Sequence, residues 1–279
     1  MNETELRLKS IAYRRTILQM IHRGGAGHTA GSLSCVDILN VLYNQVMNIT
    51  PANFHLVDRD HYIQSKGHSV EALYAVLADQ GFFSVEELLA QNNQNGTNFV
   101  GHPTRKIPGI EHNTGALGHG LSVAVGLAIA AKLDGRSYRV FTLLGDGELA
   151  EGSSWEASMT AAHYKLDNLV VIVDRNTLQI TGRTEEVNAL EPLADKFRAF
   201  GYAVLEADGN DIATLSRILG NVPFVPGKPS LLLARTIKGR GISFMEDVKA
   251  WHHKVPTAEQ LTAALDELKA AQAALEVLS

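Results

Sequence analysis

The chain has 279 residues, 45% hydrophobic and 20% charged, which is the composition of a globular protein with a large buried core. The net charge of −5 provides no basic surface for nucleic acid, and no apolar run is long enough to cross a membrane. One cysteine, Cys35, excludes an intrachain disulfide, and the charged N-terminus lacks a signal-peptide core, so we expect a cytoplasmic protein.

The first third of the chain is predicted to be mainly helical, because its apolar residues recur at helical spacing. A polar loop over residues 92–113 follows, and a loop of this length in a compact domain is usually functional or disordered. The elements predicted before it are helices over residues 3–22 and 34–46, a short strand over 61–64, a helix over 71–78 and a short helix that begins at the capping box Ser84-Val85-Glu86-Glu87.

The rest of the chain alternates apolar strands with helices, which predicts an α/β fold with a mainly parallel sheet covered by helices on both faces. No linker interrupts the alternation, so we predict one domain over residues 1–279, with a tail and closing helix from about residue 237. The predicted helices cover residues 117–133, 153–164, 190–200, 211–219 and 257–275, and the strands 138–144, 168–173, 203–206 and 230–236.

Four glycine–histidine pairs stand in the first half of the chain. Glycine allows a backbone to come close to a ligand, so four such pairs favour loops that converge on one polar site. The alternative is a set of scattered surface histidines. The pairs are Gly27-His28, Gly67-His68, Gly101-His102 and Gly118-His119.

Two loops follow consecutive predicted strands and carry oxygen ligands. Asp146 lies in the first and Asn176, 30 residues later, in the second, a separation of one strand–helix–strand crossover. A carboxylate and an amide oxygen suit Mg²⁺, which completes its shell with phosphate and water. Gly147 would let a diphosphate approach the backbone and the N-terminus of the next helix. The alternative is that both polar residues only satisfy their turns.

The stretch GDGELAEGSSWEASMTAAHYKLDNLVVIVDRNTLQITG resembles the thiamine-diphosphate motif of the transketolase family. Further similarities extend over nearly the whole chain. They occur in GHTAGSL from Gly27, QSKGH from Gln64, GHP from Gly101, TGALGHG from Thr114, KGRG from Lys238 and the pair Trp251-His252. The resemblance implies the thiamine-diphosphate-binding (diphosphate-domain) fold and transfer of a two-carbon ketol unit from a ketose phosphate to an aldose.

The resemblance also implies a role for each matching residue. The metal would be bound by Asp146, Asn176 and the backbone oxygen of Leu178. The catalytic histidines facing the reacting carbon would be His28, His102 and His252. The cofactor would be contacted by His68, His252, Gly115, Leu117, Gly147 and Asp174, with Glu151 and Glu156 on the following helix, toward the partner subunit.

The sequence departs from the family at two positions. Histidine replaces the usual glutamine at His119 and the usual glycine at His253. An additional imidazole at either position could alter recognition of the acceptor sugar, or could face solvent. The adjacent pair also leaves open which of His252 and His253 faces the reaction.

Full-length transketolases continue into a pyrimidine-binding domain and a third domain, which this chain lacks. We therefore expect the N-terminal subunit of a split, two-chain transketolase, inactive alone and assembled as an α2β2 heterotetramer with a separate C-terminal subunit. The sugar phosphate is not identified by the sequence. The alternatives are the alpha subunit of a 2-oxo-acid dehydrogenase, a non-catalytic cofactor-binding module and, since no G-x-G-x-x-G follows a strand, the disfavoured nicotinamide-binding domain.

Overall fold

A five-stranded sheet forms the centre of the protein, and all of its strand pairs are parallel. The structure is a computed structural model that describes residues 1–277. The strands lie in the order β1-β2-β3-β5-β4, with bounds β1 His61–Gln64, β2 Val140–Gly145, β3 Leu169–Arg175, β4 Ala203–Asp208 and β5 Ser230–Arg235.

Helices cover both faces of the sheet, and side chains alternate between two cores along the strands. Val170 and Ile172 of β3 belong to one core, whereas Val171 and Val173 belong to the other. This double burial explains the continuous apolar runs. The helices are α1 Glu3–Gly24, α2 Thr29–Val41, α3 Val70–Asp79, α4 Val85–Gln91, α5 His119–Leu133, α6 Gly152–His163, α7 Thr184–Val187, α8 Leu193–Phe200, α9 Ile212–Leu219 and α10 Ala258–Val277. The predicted α/β class is confirmed.

Three local predictions differ from the structure. Helix α2 begins five residues earlier than predicted, and a π-helical turn, Leu42–Val46, follows it. Helix α8 begins only after Pro192, because the residue before a proline is disfavoured in helical conformation. The short helix α7 was not predicted.

The chain after β5 returns across the carboxyl edge of the sheet before α10 packs along α1. Arg15 donates to Gln272 at 2.9 Å, and His22 is hydrogen-bonded to the Pro256 carbonyl at 2.8 Å. This segment contributes to the site below, so it is more than a closing tail. The one-domain assignment stays a prediction. Each helix in residues 1–277 is too short or too polar to cross a membrane.

Candidate active site at the carboxyl edge of the sheet

The site lies where β2 and β3 end side by side. Gly145 is in register with Asp174, and the Asp146 amide donates to the Asp174 carbonyl at 3.3 Å. The two loops that carry Asp146 and Asn176 are therefore neighbours, as the crossover spacing predicts.

Backbone and side-chain donors surround the Asp146 carboxylate. One oxygen accepts the Gly147 amide at 2.8 Å, and the other accepts the Thr177 amide at 2.6 Å and the Arg175 guanidinium at 3.2 Å. Thr177 has a φ of +66°, which is rare for a β-branched residue and marks a local strain of the kind found at functional sites. This turn orients the Thr177 amide toward the Asp146 carboxylate.

Asn176 and Leu178, which can each offer an oxygen, line the same cavity as Asp146. The Asn176 side-chain oxygen accepts the Leu178 amide at 3.1 Å, and the Leu178 carbonyl accepts the Lys238 ammonium at 2.7 Å. Burial, and next the Asp174 charge, raise the pKa of Asp146, a cost that a bound cation would offset. Within residues 1–277 no group of three or more His, Cys, Asp or Glu could hold a metal. A cation here would therefore use the mixed set of carboxylate, amide and carbonyl oxygens, which suits Mg²⁺.

The backbone after Gly147 differs from the expectation. A 3-10 turn, Gly147–Ala150, intervenes, and α6 begins only at Gly152. The helix N-terminus therefore does not directly follow Gly147. A Cβ on Gly147 would lie 3.1 Å from the Gln179 Cβ, so glycine keeps this wall of the cavity open.

A buried ion pair lies beneath the cavity. The Lys66 ammonium binds the Asp174 carboxylate, which also accepts the hydroxyls of Ser34 and Thr236. Burial alone would raise the pKa of Asp174, but Lys66 and the hydroxyl donors hold it below its usual range. Asp174 is fully buried and does not line the cavity, whereas Lys66 does. The predicted contact of Asp174 with the cofactor stays a prediction.

Five imidazoles cluster over the cavity, with His28 at the centre. From its ring centroid, those of His253, His68, His252 and His102 lie at 4.6, 5.2, 5.6 and 6.1 Å. The fold thus brings together loops that lie more than two hundred residues apart along the chain. The Nδ1 atom of His28 is buried and has no hydrogen-bond partner in the described part of the chain, an arrangement that a ligand or water commonly satisfies.

Three of these histidines are neutral at pH 7. Burial, and next the positive neighbours, lower the pKa of His28 to about 4 and that of His252 to about 3, and hold that of His68 well below 6.5. Lys238 donates to the His252 Nδ1 at 2.8 Å, so the His252 proton lies on Nε2. A neutral imidazole has one nitrogen that can accept a proton or hydrogen bond and one N–H that can donate a hydrogen bond.

A buried glutamate that the sequence analysis missed joins three elements. Glu148 accepts the amide of Gly118 at 2.8 Å and that of Gly145 at 3.0 Å, and it accepts the Ser65 hydroxyl. These contacts fix the start of α5 against the ends of β1 and β2. The residue follows GDG directly, but nothing in that motif predicts contacts so distant in sequence.

The other predicted residues lie at different depths. Gly115 and Leu117 line the cavity, and a Cβ on Gly115 would lie 2.7 Å from the His102 ring. His102 itself is exposed at the rim. Glu151, Glu156 and His119 are also exposed and do not line the cavity.

The cavity has a volume of about 420 Å³, within the range of small-molecule sites. Its wall carries Asp146, Asn176 and Leu178 at one side and His28, His68 and His252 at the other. A larger groove of about 550 Å³ lies beside Trp155 and Phe200, but its lining includes only one ionisable side chain. The polar side chains that converge on the smaller cavity therefore favour it as the active site. Its oxygens fit a cation, and its Lys238 ammonium group, which has no carboxylate partner among the described residues, fits an anionic diphosphate.

The topology and this polar edge define a diphosphate-binding α/β domain. The family described as "Transketolase, thiamine diphosphate binding domain" matches residues 8–272. The chain therefore belongs to the transketolase family.

Individual similar proteins support this membership. An apulose-4-phosphate transketolase subunit of Phocaeicola vulgatus is 47% identical over 263 residues, 94% of this chain and 93% of that protein. The 6-deoxy-6-sulfo-D-fructose transketolase subunit of a Clostridium species is 42% identical over 96% of this chain and 97% of that protein. The solved transketolase of Leishmania mexicana superposes with a TM-score of 0.83 at 28% identity. This chain covers 46% of that structure and is itself covered completely, so it spans less than half of that enzyme.

Proposed function

We propose that the chain is the N-terminal subunit of a thiamine-diphosphate-dependent transketolase that transfers a two-carbon ketol unit from a ketose phosphate to an aldose. The observation that carries the proposal is the meeting of the Asp146 and Asn176 loops beneath the His28 cluster. Two relatives that match this chain over nearly their whole length are named as transketolase subunits.

Each side of the cavity has a separate role in this proposal. Asp146, Asn176 and the Leu178 carbonyl bind Mg²⁺ or another divalent cation, and Lys238 with His68 contacts the diphosphate. Thiamine diphosphate, when bound, supplies the carbon nucleophile that accepts the ketol unit. The remaining contacts with the cofactor are assigned to Gly115, Leu117 and Gly147, and Asp174 supports the cavity from beneath through its ion pair with Lys66.

Proton transfer is assigned to the imidazoles. We assign proton exchange with the sugar hydroxyls to His28, His102 and His252. The lowered pKa of His28 and His252 leaves both rings neutral at pH 7, so each can contact a hydroxyl without carrying a charge. His253 is exposed and lies 4.6 Å from the His28 ring, so it can contact the sugar at the cavity mouth. Glu151 and Glu156 are exposed on α6 and are available to a partner subunit.

A separate C-terminal subunit completes the active site. The transketolase subunits named above imply such a partner for those proteins, and the solved transketolase is more than twice as long as the part that this chain covers. We propose an α2β2 assembly in the cytoplasm, with the partner over the cavity mouth. Ile180 supports this position, because it lines the cavity and is 70% exposed.

The experiment combines this chain with its partner subunit, thiamine diphosphate and Mg²⁺, and measures ketol transfer on a panel of ketose phosphates, a branched-sugar phosphate and a sulfosugar. Each chain alone is the control and is expected to be inactive. Turnover of a 2-oxo acid with no turnover of ketoses would instead identify the alpha subunit of a 2-oxo-acid dehydrogenase. Full ketol transfer by the single chain would overturn the two-chain proposal.

A further inference from the structure

Glu71 is a buried carboxyl on α3 that has no place in the proposed chemistry. Its side chain is 1% exposed, and no ion pair to it occurs among the described residues. One of its oxygens accepts the backbone amide of His28 at 3.1 Å, and the other accepts the Ser32 hydroxyl at 2.8 Å. A buried carboxyl without a cation is costly, so the groups that hold it in place point to its role.

The two contacts hold the start of α2. That helix has no acidic residue in its first turn, and His28, its N-cap residue, makes no side-chain cap. Glu71 therefore supplies from α3 the negative group that favours a helix N-terminus. Glycine at position 27 allows this close approach, because a Cβ there would lie 2.7 Å from the Glu71 oxygen.

We propose that Glu71 is a positioning residue for His28, and that its carboxylate charge fixes the backbone from which the His28 ring reaches the substrate. The catalytic part of this inference rests on the proposed function. The backbone part does not, because it concerns only the hydrogen bond between Glu71 and the His28 amide.

Burial raises the pKa of Glu71 to about 7, so the carboxylate gains its proton near neutral pH. A protonated carboxyl accepts the His28 amide less strongly than a carboxylate does. His28 should therefore be held more firmly above pH 7 than below it.

Other ionisable groups lie near α3 and near His28, whose ring faces those of His102, His252 and His253, and comparison with Glu71→Gln separates the contribution of Glu71 from theirs. On α1, Lys9 and Tyr13 bind Asp79 at the far end of α3. On α2, Asp37 is paired with Arg14. Burial and Glu71 raise the pKa of Tyr74 on α3, and burial raises the pKa of Cys35 on α2. The remaining groups are Glu86 and Glu87 at the exposed start of α4, and His28 and His68 in the two loops.

The first test follows the His28 amide by NMR in the full chain labelled with ¹⁵N-histidine, from pH 5 to pH 9. The signal is assigned by its loss in His28→Gln. We expect its shift to titrate with a midpoint near 7 in the wild type and to lose that step in Glu71→Gln. An amide that does not titrate in the wild type overturns the proposal, even if Glu71→Gln fails to fold.

The second test measures kcat and KM of the reconstituted pair between pH 6 and pH 9. Glu71→Gln keeps one acceptor for the His28 amide but loses the charge, so we expect kcat at pH 8 to fall roughly three- to tenfold. The rise of kcat through pH 7 should disappear, while thiamine diphosphate affinity changes less than twofold. Glu86→Gln, at an exposed position on α4, should retain the wild-type profile.

The outcomes separate the two proposals. If the wild-type pair transfers no ketol unit, the proposed function fails, and the amide titration still decides the role of Glu71. If Glu71→Gln retains the wild-type kcat and pH profile, or loses cofactor affinity as much as kcat, Glu71 does not position His28.

Discussion

The imidazole cluster shows how burial sets the chemistry of a residue. His28 and His252 lie among positive neighbours, which together with burial keep both rings neutral near pH 7. A neutral ring can form hydrogen bonds with a sugar hydroxyl without carrying a charge. The same arrangement reduces stability in acid, because the unfolded chain accepts these protons first.

We expect the free energy of unfolding to fall as pH falls from about 6.5 toward 4. The folded-state pKa of His252, about 3, lies below the ordinary 6.5, so within this window the unfolded state binds more protons. Urea unfolding at pH 7.5, 5.5 and 4.5 measures the slope. His252→Asn should show a shallower fall than the wild type.

His55→Asn is the matched control, because His55 is exposed and lies outside the cluster. Its slope should equal that of the wild type. Equal slopes in the wild type and His252→Asn would mean that His252 is not held neutral.

In the proposed metal site, Asp146 is the one charged ligand, so we expect cation binding to depend on it most. Its carboxylate is 2% exposed and lies beside the Asn176 loop. We expect Asp146→Ala to lower Mg²⁺-dependent thiamine diphosphate affinity at least a hundredfold, because a charged metal ligand is lost. Calorimetry in the presence of the partner measures it. Asp134→Ala, which changes an exposed aspartate at the end of α5, is the control. Unchanged thiamine diphosphate affinity in Asp146→Ala would exclude the proposed metal site.

Sequence motifs predicted the polar residues at the ends of neighbouring strands, but not the buried carboxyls that join elements distant in sequence. Asp146 and Asn176 could be placed together, because consecutive parallel strands end at the same edge. Glu71 and Glu148 could not, because their partners His28 and Ser65 lie 43 and 83 residues away along the chain. Contacts of that kind depend on packing and leave no local pattern.

At the scale of elements, the alternation of apolar strands and helices was sufficient to predict the parallel sheet. The start of α2 was not predictable, since its N-terminus is completed by Glu71 from α3 rather than by a residue of its own. Tertiary contacts override local propensity at such helix ends.

The approach of α5 to the end of β1 depends on glycine. A Cβ on Gly120 would lie 2.6 Å from the Ser65 Cα, whereas one on Gly126, in the same helix, would meet nothing within 4 Å. We expect Gly120→Ala to destabilise the chain by about 1–3 kcal/mol, because the overpacked helix must shift. The shift would also weaken the Ser65–Glu148 contact beside the cavity.

Gly126→Ala is a control with the opposite sign. Alanine in an open helical position is expected to stabilise by up to about 1 kcal/mol. Urea unfolding measures both variants. A Gly120→Ala chain as stable as the wild type would show that α5 can move freely.

At the scale of the whole molecule, the cavity is open on one side. Ile180 at its mouth is 70% exposed, and a large apolar side chain at such a place is typical of a protein interface. We expect Ile180→Asp to weaken the affinity for the partner by tenfold or more, as measured by calorimetry or by light scattering after gel filtration.

Leu133→Asp provides the comparison, because Leu133 is 81% exposed at the far end of α5 and does not line the cavity. It should assemble like the wild type. If Leu133→Asp rather than Ile180→Asp disrupts assembly, the partner binds a different face.

The return of the chain after β5 has a consequence for folding during translation. Asp146 and Asn176 emerge early, but Lys238 and His252 come from the segment that closes the site, and the last helix fastens to the first. A nascent chain that ends at Arg235 would have every strand and no finished cavity. We therefore expect the cofactor to bind only when translation is nearly complete, too late to guide the early folding of the sheet.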